Sequence, residues 1–223
     1  MNNKEYKTKS DMIYHKVRDS IFKGEYSPGE RLLIASVAEQ YGISEIPVRE
    51  AFRTLTQEGV LTSKPNNGFY ISQISLKEVM DIFAVRINLE GKAIRDAVMH
   101  FSPDDLIAIE DLWKESKLYE DTEDYLGYWK HNRKWHFRIY EACENKIQVR
   151  LIAELYDFSS RYPTYFTSKE EIIESLDEHE KILKALRRKD ADLSEELIKL
   201  HTITTRDHYI VRLQDVFGER LGE

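Results

Sequence analysis

The 223-residue chain contains one cysteine, Cys143. An intrachain disulfide is therefore impossible. A reducing cytoplasm is the natural compartment, and a small buried hydrophobe is the expected role of Cys143. No run approaches the ~20 apolar residues that span a bilayer. The opening segment, Met1 to Ser10, carries Lys4, Lys7 and Lys9 and has no apolar stretch. No secretion signal is therefore expected there, and the segment reads as a flexible arm. Internal repeats and low-complexity segments are absent. Excess positive charge is lacking as well, since 33 Lys+Arg face 40 Asp+Glu for a net charge of -7. The distribution is uneven. Residues 1–72 hold 10 basic and 9 acidic side chains, a net +1, which leaves 23 and 31, a net -8, for residues 73–223. Contact with a polyanion is thus permitted at the N-terminal end, with the acidic part held away from phosphates.

Ile13, Val17 and Ile21, flanked by Tyr14 and Phe22, recur at helical spacing. Lys23-Gly24 stops that helix, and Ser27-Pro28-Gly29 makes a turn. A short helix with Val37, Ala38 and Tyr41 inward ends at Gly42, where a left-handed cap costs least. Ser44 is placed to cap the next helix, with Pro47 tolerated in its first turn. Val48, Ala51, Phe52 and Leu55 form its inward stripe, and Gly59 ends it. Two short helices joined by a Gly-containing turn make a helix-turn-helix. Residues 60–63 and 69–72 are β-prone and flank Lys64-Pro65-Asn66-Asn67-Gly68, a hairpin signal. A helix-turn-helix followed by a hairpin is a winged helix, placed here at 10–73.

From Ser75 onward the pattern is almost wholly helical. Helices are expected near 75–99, 103–119, 123–143, 146–161, 168–189 and 192–216. Ser75/Glu78 and Ser168/Glu171 read as capping boxes, Ser102-Pro103 as a cap with proline at the first helical position, and Asp192/Glu195 as a further cap. The fold class is mainly α: a winged helix-turn-helix followed by an all-helical bundle over 75–217.

A recognition helix presents its N-terminal residues to base edges in the major groove. Those residues are Ser44, Glu45, Ile46, Arg49 and Arg53. Arginine pairs bidentately with guanine N7 and O6 or holds a phosphate. Two arginines four apart on a solvated helix are common, and the winged context gives them weight. The segments Pro28-Gly29-Glu30-Arg31-Leu32, Val37-Ala38-Glu39, Gly42-Ile43-Ser44, Pro47-Val48-Arg49-Glu50-Ala51 and Leu55, then Glu58-Gly59-Val60-Leu61 and Gly68-Phe69, resemble the DNA-binding domain of GntR-type bacterial transcription regulators. The resemblance covers almost all of 12–72. It implies that Arg31, Arg49 and the wing around Asn67 and Gly68 touch DNA. Family members commonly carry Arg and then Thr after the capping Ser, where this chain has Glu45 and Ile46. Glutamate cannot neutralise a phosphate, but it accepts a hydrogen bond from cytosine N4, and isoleucine meets a thymine methyl. A divergent operator and weak DNA binding are the two explanations.

The helical half places polar residues on apolar stripes. One stripe runs Tyr125, Tyr128/Trp129, Asn132, His136, Ile139/Tyr140, Cys143. Another runs Ile172, Leu176, His179, Leu183, Leu186. A third runs Leu193, Leu197, His201, Thr204, His208, Val211. A single core histidine is usually a hydrogen-bonded structural residue. Three on separate helices are costly to bury unpartnered, and a shared metal supplies partners, as in other bundle cores. Arg86 shares a stripe with Val79, Ile82, Phe83, Leu89 and Ala93. It reads either as an ion pair with Glu90 or as a clamp for a carboxylate ligand. Val85-Arg86, Leu89-Glu90, Asn132 with His136, Glu178-His179 and His201 resemble the all-helical effector domain of the FadR-like (FCD) branch of the same family, over about 76–210. The resemblance implies a divalent metal held by an Asp and three His. The histidines map to His136, His179 and His201, and Asn132 occupies the Asp position. A neutral amide is the weaker ligand. Three imidazoles suit Zn²⁺ or Ni²⁺ without selecting strongly.

The leading expectation is a cytoplasmic, homodimeric regulator that binds an inverted-repeat DNA operator. Its affinity would answer to a small organic acid held by Arg86, Asn132 and His136. Tyr128, Tyr140, Arg161 and Tyr165 are candidates to line the same pocket, with plain packing or surface placement the favoured reading for each. It is not expected to be an enzyme or to touch a membrane. Two alternatives stand beside it. One is a metal-dependent hydrolase or lyase whose winged helix contacts protein. The other is a metal-free sensor in which the histidines form a polar network or grip the ligand.

Overall fold

In the computed structural model, which describes residues 6–65, 67–73, 75–159 and 166–218, the first helix, α1, runs Lys9–Phe22. Its N-cap Thr8 accepts from the Asp11 amide. Lys9 and Ser10, read as part of an arm, are therefore helical. The chain continues through β1 (Arg31–Leu32), α2 (Ile34–Tyr41), α3 (Glu45–Gln57), β2 (Leu61–Lys64) and β3 (Gly68–Ile71). Gly42 takes the left-handed conformation, φ 63°, that ends α2, a position where a side chain would be strained. Ser44 stands at the N-cap of α3 in extended backbone, but its side chain makes no capping bond. That corrects the expected role.

The strands form one antiparallel sheet in the order β1-β3-β2. The hairpin is tighter than the sequence suggested. Lys64 pairs with Gly68, so Gly68, at φ 92°, opens β3 instead of sitting in the turn. β1 was not anticipated. Two residues are too short to show periodicity, and the strand forms because Arg31 and Leu32 pair with Tyr70 and Phe69. Ile13, Val17 and Ile21 of α1, Val48, Ala51, Phe52 and Leu55 of α3, and Leu61 and Ile71 of the hairpin make one core cluster. Each such side chain contributes roughly 1.5–3 kcal/mol on burial.

The helical part comprises α4 (Leu76–Val98), α5 (Pro103–Ser116), α6 (Tyr125–Tyr140), α7 (Lys146–Ser159), α8 (Lys169–Arg187) and α9 (Ala191–Phe217), with a short 3-10 turn at Lys117–Tyr119. Their shared core includes Ile94 and Val98, Ile109, Trp135 and Ile139, Ile152, Ile182 and Leu186, and Ile198. Ser102 and Asp105 close a full capping box ahead of Pro103. At α8, Ser168 accepts from the Glu171 amide, while the Glu171 carboxylate returns to the Thr167 amide rather than to that of Ser168. The cap of α9 is Asp190, which accepts from Leu193. Asp192 instead pairs with Arg95. The inward stripe of α9 is rotated by about one residue from the expected one. Ser194, Ile198, His201, Thr202 and Tyr209 are buried, whereas Val211 is 55% exposed. Steps of three and four fit two neighbouring stripes equally well, and packing chose between them.

The chain divides into two compact units. One takes residues up to Val79, the end of α7 from Asp157 and the last turns of α9 from Ile210; the other takes Met80–Tyr156 and continues to Tyr209. Among the described residues, no helix is long and apolar enough to cross a membrane.

Candidate functional site

Two groups of side chains stand out, one exposed and one buried. On the first unit, α3 turns Val48, Ala51, Phe52 and Leu55 into the core. The opposite face then belongs to Ser44, Glu45, Ile46, Arg49 and Arg53, all exposed. Ile46 is 70% exposed in the first turn of the helix. Arg49 Nη2 lies 3.6 Å from Glu45 Oε2, one turn back on the same face. Both partners are more than half exposed, so the pair is weak and easily exchanged for another partner. Arg31 is exposed on β1. Its guanidinium passes over Gly68, where an added Cβ would stand 3.7 Å from Nε and Nη2. Asn67, beside it in the wing, is exposed as well. The first strand thus brings Arg31 to the wing, a juxtaposition that sequence separation hides.

The second group lies inside the helical unit. His136 on α6, His179 on α8 and His201 on α9 are buried, with ligand atoms all within 4.8 Å of one another. His201 Nε2 is 3.2 Å from His136 Nε2 and 3.4 Å from His179 Nε2. Outer partners fix two of the rings. His201 Nδ1 donates to Glu178 Oε2 at 2.6 Å. Tyr140 Oη donates to Glu90 Oε2 at 2.7 Å, so it accepts from His136 Nδ1 at 3.3 Å. A neutral imidazole has one N–H, and both rings direct theirs outward. Two Nε2 lone pairs then face each other at 3.2 Å. Such an arrangement is repulsive unless a cation lies among them. Burial, followed by the nearness of His201 and Arg86, pushes the His136 pKa well below its usual range. Burial and then His201 and His136 do the same for His179. Both rings are held neutral, the state that binds metal.

These residues fit a divalent ion. A tetrahedral zinc with Zn–N bonds of about 2.0–2.1 Å sets its nitrogens about 3.3–3.4 Å apart, close to the 3.2 and 3.4 Å that separate His201 from His136 and His179. The carboxylate and tyrosine behind the rings are the outer partners that orient metal-binding histidines. Asn132, one turn before His136, is buried, and its Oδ1 has no hydrogen-bond partner among the described residues. An orphaned amide oxygen on the histidine-bearing face of α6 is a further available donor.

Arg86 is buried, and its Nε donates to Glu90 Oε1 at 2.7 Å. Of its two readings, the ion pair is formed. The guanidinium also lies 3.9 Å over the Tyr156 ring and 4.7 Å over Phe83. Burial works against its charge, but Glu90 outweighs that and raises its pKa. Glu90 therefore belongs to two contacts at once, holding Arg86 with one oxygen and Tyr140 with the other. A continuous polar chain runs Arg86–Glu90–Tyr140–His136 and on through His201 to Glu178.

The sequence pattern put the three histidines on inward faces, and all three are buried; it did not anticipate the contacts of Tyr140 and Glu178 with two of them. Tyr140 sits four residues after His136, a spacing that signals a shared face. Glu178 precedes His179, a quarter-turn off the stripe, and only the approach of α9 brings it to His201. Tyr128 and Tyr140 are buried. Arg161 and Tyr165 lie outside the described residues. His208, expected inward, is part-exposed and 3.5 Å from Glu174.

Comparison with known proteins gives matches to both parts. The model of bacterial regulatory proteins, gntR family, matches residues 9–71, and that of the FCD domain matches 81–204. The HTH-type transcriptional regulator YdhC of Bacillus subtilis is 28% identical over 93% of this chain and 92% of its own length. The HTH-type transcriptional repressor GlaR of Escherichia coli is 24% identical over 86% of this chain and 91% of its own. The solved structure of E. coli McbR/YncC shares the fold, with a TM-score of 0.65 at 22% identity, covering 93% of this chain and 98% of that one.

Proposed function

Because the chain belongs to the gntR family of bacterial transcription regulators and carries its FCD domain, we propose that it is a repressor whose grip on DNA answers to a small carboxylate bound beside a divalent metal in the helical unit. It acts as a cytoplasmic homodimer on an inverted repeat, since two-fold dimers read two-fold sites. Arg49 reads or clamps DNA from α3, with Arg31 at the wing next to Asn67 and Gly68. Arg53 is a phosphate neighbour. Ser44, Glu45 and Ile46 face the bases.

One observation carries the metal part: three buried imidazole nitrogens converge within 4.8 Å, two of them 3.2 Å apart, while Glu178 and Tyr140 partner the opposite nitrogens of His201 and His136. His136, His179 and His201 hold the ion, zinc or nickel, with Asn132 as a weaker fourth donor. When bound, the ion supplies a positive centre for a ligand carboxylate. The chain's own residues do the rest. Arg86 offers a guanidinium to the acid in competition with Glu90. Glu90 releases or tightens Tyr140 as that competition proceeds, and Tyr140 orients His136. Regulation then follows from a difference in acid affinity between the DNA-competent and DNA-incompetent states.

The relative GlaR is named a repressor, which supports that sign of control. The gntR family match and the HTH-type regulators among the relatives favour binding over turnover. The test is fluorescence anisotropy on an operator selected from random DNA. Arg49→Ala is expected to weaken binding, and unchanged affinity at physiological salt would remove the DNA assignment. Elemental analysis after chelator-free purification is expected to find about one metal per chain. A metal-free protein whose melting is indifferent to added Zn²⁺ and Ni²⁺ would leave the histidines as a polar network.

A further inference from the structure

The sheet of the winged helix has two faces, because side chains alternate along a strand. Leu32, Leu61, Phe69 and Ile71 turn toward the core. Arg31, Thr62, Lys64, Gly68 and Tyr70 therefore share the outer face. The register sets them out. Arg31 and Thr62 flank Tyr70 from either side, and Lys64 flanks Gly68. Arg31 and Lys64 then reach over the middle strand from opposite edges. The Arg31 guanidinium passes over Gly68, and the Lys64 ammonium lies 4.6 Å over the Tyr70 ring. Gly68 and Tyr70 are two residues apart, so the two charges stand above points about 7 Å apart on β3.

Like charges converging on one sheet face repel. Both side chains are exposed, and neither makes an ion pair among the described residues. Elsewhere in this acidic chain Lys92, Arg95, Arg138 and Lys199 each have a carboxylate partner. The π-face of Tyr70 offsets the Lys64 charge in part. The Tyr70 hydroxyl donates to the Asn67 carbonyl at 3.4 Å, which ties the ring to the wing turn. Gly68 keeps the space beside the two charges open, since its φ of 92° disfavours any side chain. The face is built to meet an anion that the chain does not supply.

We propose that this outer face is a platform for the phosphodiester backbone of duplex DNA. Arg31 and Lys64 are its phosphate ligands, and Tyr70 is the residue that positions Lys64. This rests on the DNA-binding reading above and names what the wing holds: phosphates, not base edges. A polyanion supplies the countercharge, and release of its condensed cations drives the contact. Backbone contacts fix orientation and carry no sequence information directly. Base reading stays with α3.

Fluorescence anisotropy of the full chain on its selected operator, between 50 and 200 mM salt, tests this. Arg31→Ala and Lys64→Ala should each lower the slope of log affinity against log salt by about one per wing. The deficit against wild type should therefore shrink about 3.5-fold per lost contact across that range. The base consensus selected by each variant should match the wild-type one. Arg31→Lys keeps the charge and should keep the slope. Tyr70→Phe keeps the ring face and should keep it too. Thermal melting like wild type shows that the variants are folded, as expected for exposed positions. An unchanged slope in Arg31→Ala or Lys64→Ala overturns the inference. So does a relaxed preference at one base position, which would make that residue a base reader. Arg49→Ala separates the two readings. If it weakens operator binding while Arg31→Ala combined with Lys64→Ala does not, the DNA reading stands and the platform falls. If the wild-type chain binds no duplex at 50 mM salt, both fall.

Discussion

The winged helix and the helical unit both have apolar cores, but they keep their candidate contacts in opposite places. The winged helix has an apolar core and carries its candidate contacts outside: Arg31, Glu45, Ile46 and Arg49 are all exposed. The helical unit buries its candidate contacts, with Arg86, Glu90, Asn132, His136, His179 and His201 each at most 6% exposed. The difference follows from what each would bind. DNA is a large polyanion met at the surface, so the reading head needs only a rigid platform. A small acid or metal must be taken out of water to be held and sensed, so the polar groups have to go inside. There they cost stability unless fully partnered.

Substitutions that attack each strategy at its root should have the largest effects. Phe52→Ala in the reading head removes a fully buried ring and is expected to cost about 3–5 kcal/mol. Glu90→Ala in the helical unit removes the carboxylate that balances the buried Arg86 charge and should cost a similar 3–5 kcal/mol for a different reason. Denaturant unfolding measures both. If Glu90→Ala proves nearly neutral, the buried network is not structural and the contrast between the units fails.

Next in size is a pH effect confined to the histidine centre. His136 and His179 have pKa values held below the ordinary 6.5. The unfolded chain therefore takes up protons that the folded one refuses. The stability they contribute is fully present above about pH 6.5 and is lost as pH falls below it. In chelated protein the loss is about 1.4 kcal/mol per pH unit for each histidine. Thermal melts between pH 7 and pH 5 should show it, and replacing His179 with Gln should halve the slope. A slope unchanged by that replacement would place the proton uptake elsewhere.

Smaller still is Arg49→Ala, expected to weaken operator binding by about 1–3 kcal/mol and to relax preference at one base position. Uniform weakening across sequences, with a salt slope reduced by about one, would make Arg49 a phosphate contact instead. The smallest change in stability belongs to Glu45→Gln, at most about 0.5 kcal/mol, because its pair with Arg49 is exposed. Its signature is in base preference. A consensus selected by Glu45→Gln that matches the wild-type one would show that Glu45 reads nothing.

Most of the winged helix was legible because its signals are local. Gly42, Gly59 and the stripe Val48-Ala51-Phe52-Leu55 mark the helix ends and the buried face within a few residues. What was missed there is tertiary. β1 is two residues long and exists only because β3 accepts it, and the wing is one residue tighter because Gly68 pairs with Lys64. In the helical unit, periodicity found which helices carry histidines. It did not find Tyr140 behind His136, Glu178 behind His201, or the true inward face of α9, since each depends on which neighbour packs against it.

The amino-acid sequence by itself determined the two-part architecture, the exposed face of α3 with Glu45, Ile46 and Arg49, and the three core histidines. Those follow from periodicity, turn chemistry and charge, which act over one or two helical turns. Only the tertiary structure decided that Arg86 takes the Glu90 pair of its two readings, and that Tyr140 and Glu178 stand behind two converging imidazoles. Tyr140 meets Glu90, and His201 meets Glu178, only across helices tens of residues apart in sequence, where packing geometry decides which side chains meet.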